Sequence, residues 1–127
     1  MKIVPIYAAL LAVLFLGLSV RTLRLRRRHR VAIGDGGSER LARAIRAHSN
    51  FAEYVPMALI LLAILEGLQA RPSLLHGLGA ALLIGRAIHA AGLSSSPEPM
   101  ALRVAGMTLT LGSLCAAALA IFWLAAV

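Results

Sequence analysis

Arg43-Ala-Ile-Arg-Ala-His-Ser-Asn-Phe-Ala-Glu-Tyr-Val-Pro56 is the stretch whose reading decides the fold. It sets four strongly polar side chains into a segment otherwise apolar enough to span a membrane, where such residues are expensive and mark function by default. At 100° per residue Arg43, Arg46, Asn50 and Glu53 fall near 0°, 300°, 340° and 280°, a sector roughly 80° wide. They form one polar stripe on one helix face.

Outward from the stripe, the 127 residues are 60% hydrophobic and 14% charged, with a mean hydropathy of +0.84. That composition excludes an ordinary soluble domain and predicts an integral membrane protein. Ile3 to Val20 is an uncharged run of 18 residues, close to the roughly 20 that one crossing needs, and three more apolar segments follow. Turn and cap signals place helices over about 3–26, 38–69, 73–93 and 100–126. Ser38 is the expected N-cap of the second helix, with Glu39 favourable in its first turn. Arg71-Pro-Ser73 reads as a short turn and Ser94-Ser-Ser-Pro-Glu-Pro99 as a loop. The glycine-rich Val31–Ser38 reads as a flexible hinge. Because 38–69 exceeds one crossing, its first turns through about Ala47 should stand clear of the bilayer, and Pro56 should bend it. The fold class is all-α: one domain over 1–127, an up-and-down bundle of four transmembrane helices.

The formal charge of +8 is unevenly placed: residues 21–46 hold nine arginines against Asp35 and Glu39, a net +7. The positive-inside rule puts this connection in the cytoplasm and, with four crossings of a bacterial-type inner membrane, both termini on the other side. A cleaved signal peptide is the competing reading of the N-terminus. The apolar run ends in Arg21-Thr-Leu-Arg-Leu-Arg-Arg-Arg-His-Arg30 rather than a small-residue cleavage site, which favours an uncleaved helix. These arginines abut a membrane helix and have no interleaved aromatics, so they read as a topology signal and an anionic-lipid contact, with no nucleic acid as partner. Cys115 lies within the last apolar segment and has no cysteine to pair with. No two histidines have the i, i+4 spacing of a metal site, so no metal is expected. His29 and His76 read as solvated, and His48, about 140° from Arg43 on the wheel, faces a neighbouring helix or subunit.

The third segment adds Arg86 and His89, three apart and so on one face, and Arg103 stands near the start of the fourth. Polar residues of three helices thus converge on one level. Two readings fit. In one, the residues only hold helices together: Glu53 pairs with Arg86 or Arg46, and Asn50 and His89 are hydrogen-bonded, since an unpaired charge in hydrocarbon costs roughly 2.5–3.5 kcal/mol. In the other, Arg46, Arg86 and Arg103 hold an anion, because four arginines (Arg43 included, which can reach lipid head groups) outnumber Glu53. A multiply charged carboxylate suits paired guanidinium forks, with Glu53 taking an ammonium group.

Taken together, Arg43-x-x-Arg-Ala-His-x-Asn-x-x-Glu53, then Gly85-Arg-x-x-His89, then an arginine opening the last helix, resembles the membrane-associated proteins in eicosanoid and glutathione metabolism (MAPEG), in particular its small bacterial members. The resemblance covers essentially the whole chain. It implies a homotrimer of four-helix subunits that binds glutathione, as cosubstrate, between adjacent subunits near the cytoplasmic face. Arg46, Asn50, Glu53, Arg86 and His89 would belong to the glutathione site. Arg103 matches the family arginine credited with stabilising the thiolate, which would make it the catalytic residue.

The departures are equally specific. Active eicosanoid members carry serine directly after the helix 4 arginine and tyrosine a turn later, where this chain has Val104 and Met107; they carry tyrosine a turn after the helix 3 histidine, where Leu93 stands. Ser49 replaces a residue that is basic in some members, and Tyr54, beside the stripe, could supply one lost hydroxyl. Two functions follow from the resemblance. One is a glutathione-dependent transferase or peroxidase acting on hydrophobic electrophiles or lipid hydroperoxides. The other is a noncatalytic membrane protein binding lipid or glutathione in the same pocket. Small residues Gly77, Ala80 and Ala81 are expected to let helices approach closely in the trimer.

Overall fold

The computed structural model describes residues 2–95, 97 and 99–126. They form four helices: α1 Val4–His29, α2 Glu39–Gly67, α3 Pro72–Ser94 and α4 Met100–Ala126. At 1.5 Å per residue these run about 35–44 Å, beyond the ~30 Å hydrocarbon core. Each is long and apolar enough to cross a membrane.

Local chemistry sets the helix ends. α1 runs past the expected Arg26 to His29, because Arg26, Arg27, Arg28 and His29 make a basic last turn that complements the negative end of the helix dipole. Arg30 closes it in the left-handed conformation, and the Val31 amide returns to the Arg26 carbonyl at 3.0 Å. Ser38 caps α2 as expected, its hydroxyl accepting from the Leu41 amide at 3.4 Å. Pro72 opens α3, where its missing N–H costs nothing. α2 passes through Pro56 without interruption. In the expected 94–99 loop, Ser94 is instead the last residue of α3 and Ser95 its C-cap, while Ser96 and Glu98 lie outside the described residues.

Cross-helix hydrogen bonds fix the register. α1 and α2 are antiparallel: the Ile3 and Val4 amides donate to Glu66, Ser19 Oγ lies 3.0 Å from His48 Nε2, and Thr22 Oγ1 reaches the Ala44 carbonyl at 3.3 Å. α1 and α3 are parallel, joined by Tyr7 to His76 and by Arg21 to Ser94. α3 and α4 are antiparallel, with Ser113 Oγ donating to the Leu78 carbonyl at 3.0 Å and His89 to that of Arg103 at 3.1 Å. The bundle is therefore up-down-up-down. Glu66 also replaces a missing side-chain cap at the α1 N-terminus, a job that a carboxylate does well at the positive end of a helix.

The core joins Leu11 and Leu18 of α1, Phe51, Val55 and Leu62 of α2, and Leu75 and Leu82 of α3. A second cluster of Leu25, Leu41 and Ala44 continues the α1–α2 pair toward the arginine-rich end. So the first turns of α2 do not stand alone; they lie on the extension of α1. Relative to exposure to water, burying side chains such as Leu25 and Leu41 contributes about 1.5–3 kcal/mol each.

One further expectation is corrected. The glycine-rich connection is tied rather than loose: Arg26 donates to the carbonyls of Ala32 (3.1 Å) and Gly34 (2.9 Å), and Asp35 accepts from the Gly37 amide at 2.9 Å. The Cβ position of Gly77 is open within one subunit, so the close backbone approach inside the chain lies elsewhere. It is at Gly85 and Gly106, where a Cβ on Gly106 would stand 2.6 Å from the Gly85 carbonyl oxygen and 2.7 Å from the His89 nitrogen.

Candidate functional site

The stripe on α2 splits in two. Asn50 turns inward and is buried. Arg46 and Glu53, two turns apart, remain largely exposed and pair with each other at 3.3 Å, with side chains 59% and 47% accessible. Arg43, higher on the same face, pairs with Glu39 at 2.6 Å and donates to the Ser95 carbonyl at 2.8 Å. Of the two partners expected for Glu53, Arg46 takes the role and Arg86 does not.

Arg86 enters from α3 and is 1% exposed. Its NH1 donates to Asn50 Oδ1 at 2.8 Å, its NH2 lies 3.5 Å from Met107 Sδ, and its guanidinium carbon stands 5.9 Å from the centre of the Tyr54 ring. Among the described residues no carboxylate pairs with it, and its Nε has no hydrogen-bond partner. A neutral amide oxygen, a thioether and a ring face are what this cation has in place of a counter-ion. Burying a charge on such terms costs several kcal/mol before those contacts are counted.

His89 lies one turn along α3 from Arg86 and is buried. Its Nδ1 faces the Arg103 carbonyl at 3.1 Å. A carbonyl only accepts, so Nδ1 holds the proton and Nε2 is the acceptor nitrogen of the neutral ring. The geometry depends on the glycines: Gly106 lets α4 lie against the His89 backbone, and a Cβ on Gly92 would come within 3.1 Å of the Arg103 side chain.

Arg103 and His89 line a cavity of about 260 Å³ with Met107, Thr108, Val104 and Leu111. Met107 therefore connects the two halves of the site, touching Arg86 on one side and lining the Arg103 cavity on the other. The structure brings together Asn50 with Arg86 through the α2–α3 contact, and His89 with Arg103 through the α3–α4 contact. Arg46 and Glu53 form a separate ion pair on the outer face of α2. Tyr54 stands by Arg86, and Ser49 is within 3.4 Å of the Arg46 carbonyl of its own helix.

Thr108 is the polar cavity residue that sequence reasoning missed, along with the apolar Met100 and Leu111. On a wheel it faces outward among apolar neighbours, and only the placement of Arg103 and His89 makes it part of a lining. His48 meets a neighbouring helix as expected, stacking on Phe15 with ring centres 4.7 Å apart. His76, expected to be solvated, is exposed but held by the Tyr7 hydroxyl at 3.1 Å.

The MAPEG family model matches residues 4–123. The chain is also 43% identical over 84 residues to the inner membrane protein YecN of Escherichia coli (strain K12), and equally to that of Escherichia coli O6:H1, covering 66% of this chain. It spans 64% of the length of these curated relatives. No solved structure matches it. With the family pattern running almost from end to end of a four-helix chain, this protein belongs to the MAPEG family.

Proposed function

We propose that this protein is a glutathione-dependent membrane transferase or peroxidase that acts on hydrophobic electrophiles or lipid hydroperoxides. The observation that carries the reading is cationic charge gathered at one level: among the described residues no carboxylate pairs with buried Arg86, which stands beside a cavity that Arg103 and His89 line. Arg103 supplies a guanidinium to a thiolate in that cavity, which raises the fraction of thiol ionised at neutral pH. His89, with Nδ1 committed to the Arg103 carbonyl, presents Nε2 as an acceptor. Arg86 and Asn50 act from behind, holding α2, α3 and Met107 in register. Arg46 and Glu53 offer the opposite charges that a zwitterionic γ-glutamyl group requires.

The same residues favour a homotrimer. A half-exposed ion pair on the outer face of a membrane helix is costly in lipid, and a neighbouring subunit laid over α2 would cover it and close the cavity of Arg103. The name of the Escherichia coli relative supports an inner-membrane location, and the arginine bias favours an orientation with the connection between α1 and α2 in the cytoplasm and both termini opposite.

A second reading, binding of lipid or glutathione without turnover, is favoured by Met107. At that position active eicosanoid members have tyrosine; here a thioether takes up the Arg86 NH2 group and gives no hydroxyl to the cavity. Conjugation of glutathione to a chlorinated nitroaromatic, measured with Arg103→Ala beside the parent protein, separates the readings. The catalytic one expects turnover that falls about a hundredfold or more in the variant, the usual cost of removing a charge-stabilising donor, while glutathione binding changes far less. Turnover unchanged in Arg103→Ala removes the assignment of this residue; glutathione binding with no turnover in either protein establishes the second reading.

A further inference from the structure

The arginine-rich end holds a groove of about 540 Å³ that the site above does not use. Its rim is Arg21, Arg24 and Arg28 of α1 and Arg40 of α2, and its floor is Leu16, Gly17 and Val20. Arg21, Arg24 and Arg28 are spaced i, i+3 and i+7, so they share one face, and Gly17 and Val20 continue that face toward the apolar run. A single strip of α1 thus passes from apolar to cationic along the helix axis.

The charges there are not spent on the protein. Among the described residues Arg24, Arg28 and Arg40 have no hydrogen bond or ion pair. Arg21 donates to the Ser94 hydroxyl, a neutral partner. Arg21 and Arg40 also line an adjoining cavity of about 410 Å³ that contains Glu39, but that carboxylate is held by Arg43 at 2.6 Å. Arg40 further sits in the first turn of α2, where the helix dipole opposes a cation and welcomes an anion. Four guanidinium groups around one space, with no acid among its described lining residues, call for an anionic ligand.

The floor says what kind of anion. Gly17 has nothing within 4 Å of its Cβ position, so between Leu16 and Val20 it leaves an open apolar surface on which a hydrocarbon chain can lie. A ligand that satisfies both halves is an amphiphile with an anionic head and an acyl tail. We propose that this groove is a binding site for an anionic phospholipid, its phosphodiester held by Arg21, Arg24, Arg28 and Arg40 and one acyl chain lying over Gly17. The groove shares no residue with the Arg103 cavity, so the inference stands independently of the glutathione reading.

Native mass spectrometry of the purified, detergent-solubilised protein tests this, with phosphatidylglycerol and phosphatidylcholine of matched acyl chains as probes and inorganic phosphate as competitor. Phosphatidylglycerol is expected to be retained in preference to phosphatidylcholine. Its apparent affinity should fall about thirtyfold in R24Q/R28Q, the effect of two arginines at a membrane surface. R27Q/R30Q removes the same charge outside the groove and should change it less than about twofold. G17L keeps every arginine and fills open space, so it should fold normally and still weaken lipid binding. Equal retention of phosphatidylcholine would overturn the proposal, as would equal losses in the two double variants, which would mean diffuse charge. Full displacement by millimolar inorganic phosphate, with G17L unaffected, would show a soluble-phosphate site and equally refute a lipid one.

Discussion

The seam between α3 and α4 and the seam between α1 and α2 solve the same packing problem with a different balance of materials. At the first, Gly85, Gly92 and Gly106 bring backbones together, and polar side chains bond to the facing main chain: His89 to the Arg103 carbonyl, Ser113 to that of Leu78. The second has such bonds too, Thr22 donating to the Ala44 carbonyl and Glu66 accepting from the Ile3 and Val4 amides, but there large side chains such as Leu11, Phe15, Phe51 and Val55 meet between the helices and line an apolar groove of about 300 Å³. Hydrocarbon gives little hydrophobic drive inside a bilayer, so packing and interhelical hydrogen bonds must do the joining. A backbone-to-backbone seam is rigid because nothing in it can rotate away. The chemistry is placed on that seam, and the adaptable side-chain seam is left to hold the bundle.

The contrast can be broken in graded ways. Gly106→Leu should have the largest effect, because the obstructing atoms are backbone: thermal unfolding in micelles is expected to show a loss of at least about 3 kcal/mol, the top of the usual overpacking range. A fully stable Gly106→Leu would mean that α4 can move off α3, and the argument for a rigid seam would fail. Arg86→Leu comes next. It leaves Asn50 Oδ1 without its donor but also removes a buried cation, so the net cost should be about 1–3 kcal/mol; a stabilised variant would show that burial of this charge, rather than its bond to Asn50, dominates. Ser19→Ala, on the adaptable seam, removes one interhelical contact, with His48, together with the local bond of the hydroxyl to the Phe15 carbonyl of its own helix, and should cost only about 0.6 kcal/mol, the average for interhelical bonds in a membrane protein. A loss as large as that of Gly106→Leu would erase the distinction between the seams.

Much of this was legible in the residues alone. Four apolar runs separated by arginine, proline and serine clusters locate the helices, because every backbone polar group in lipid must be satisfied within its own segment. The Ser38 cap and the grouping of Asn50, Arg86, His89 and Arg103 at one level were also readable. Two kinds of information were not. A helical wheel gives angles but not neighbours: Asn50 and Glu53 lie about 60° apart, yet α3 packs on one and leaves the other exposed. Charge pairing likewise depended on which helix stood closest, so Glu53 went to Arg46 on its own helix and Arg86 to an amide. Gly106 showed nothing of its importance in sequence, being one glycine in an apolar run, and Thr108 acquired meaning only beside Arg103. The extension of α1 to His29 was hidden because the arginines marking the membrane edge also stabilise the last helical turn.

The most direct test of the central claim is calorimetric titration of glutathione into the purified, detergent-solubilised protein, with Arg46→Ala and Arg103→Ala alongside. Saturable binding that is lost in Arg46→Ala and persists in Arg103→Ala is the expected result, because it separates holding the tripeptide from activating its thiol. No binding at millimolar glutathione would contradict the account and leave the polar level of this bundle as a device for packing helices or binding lipid.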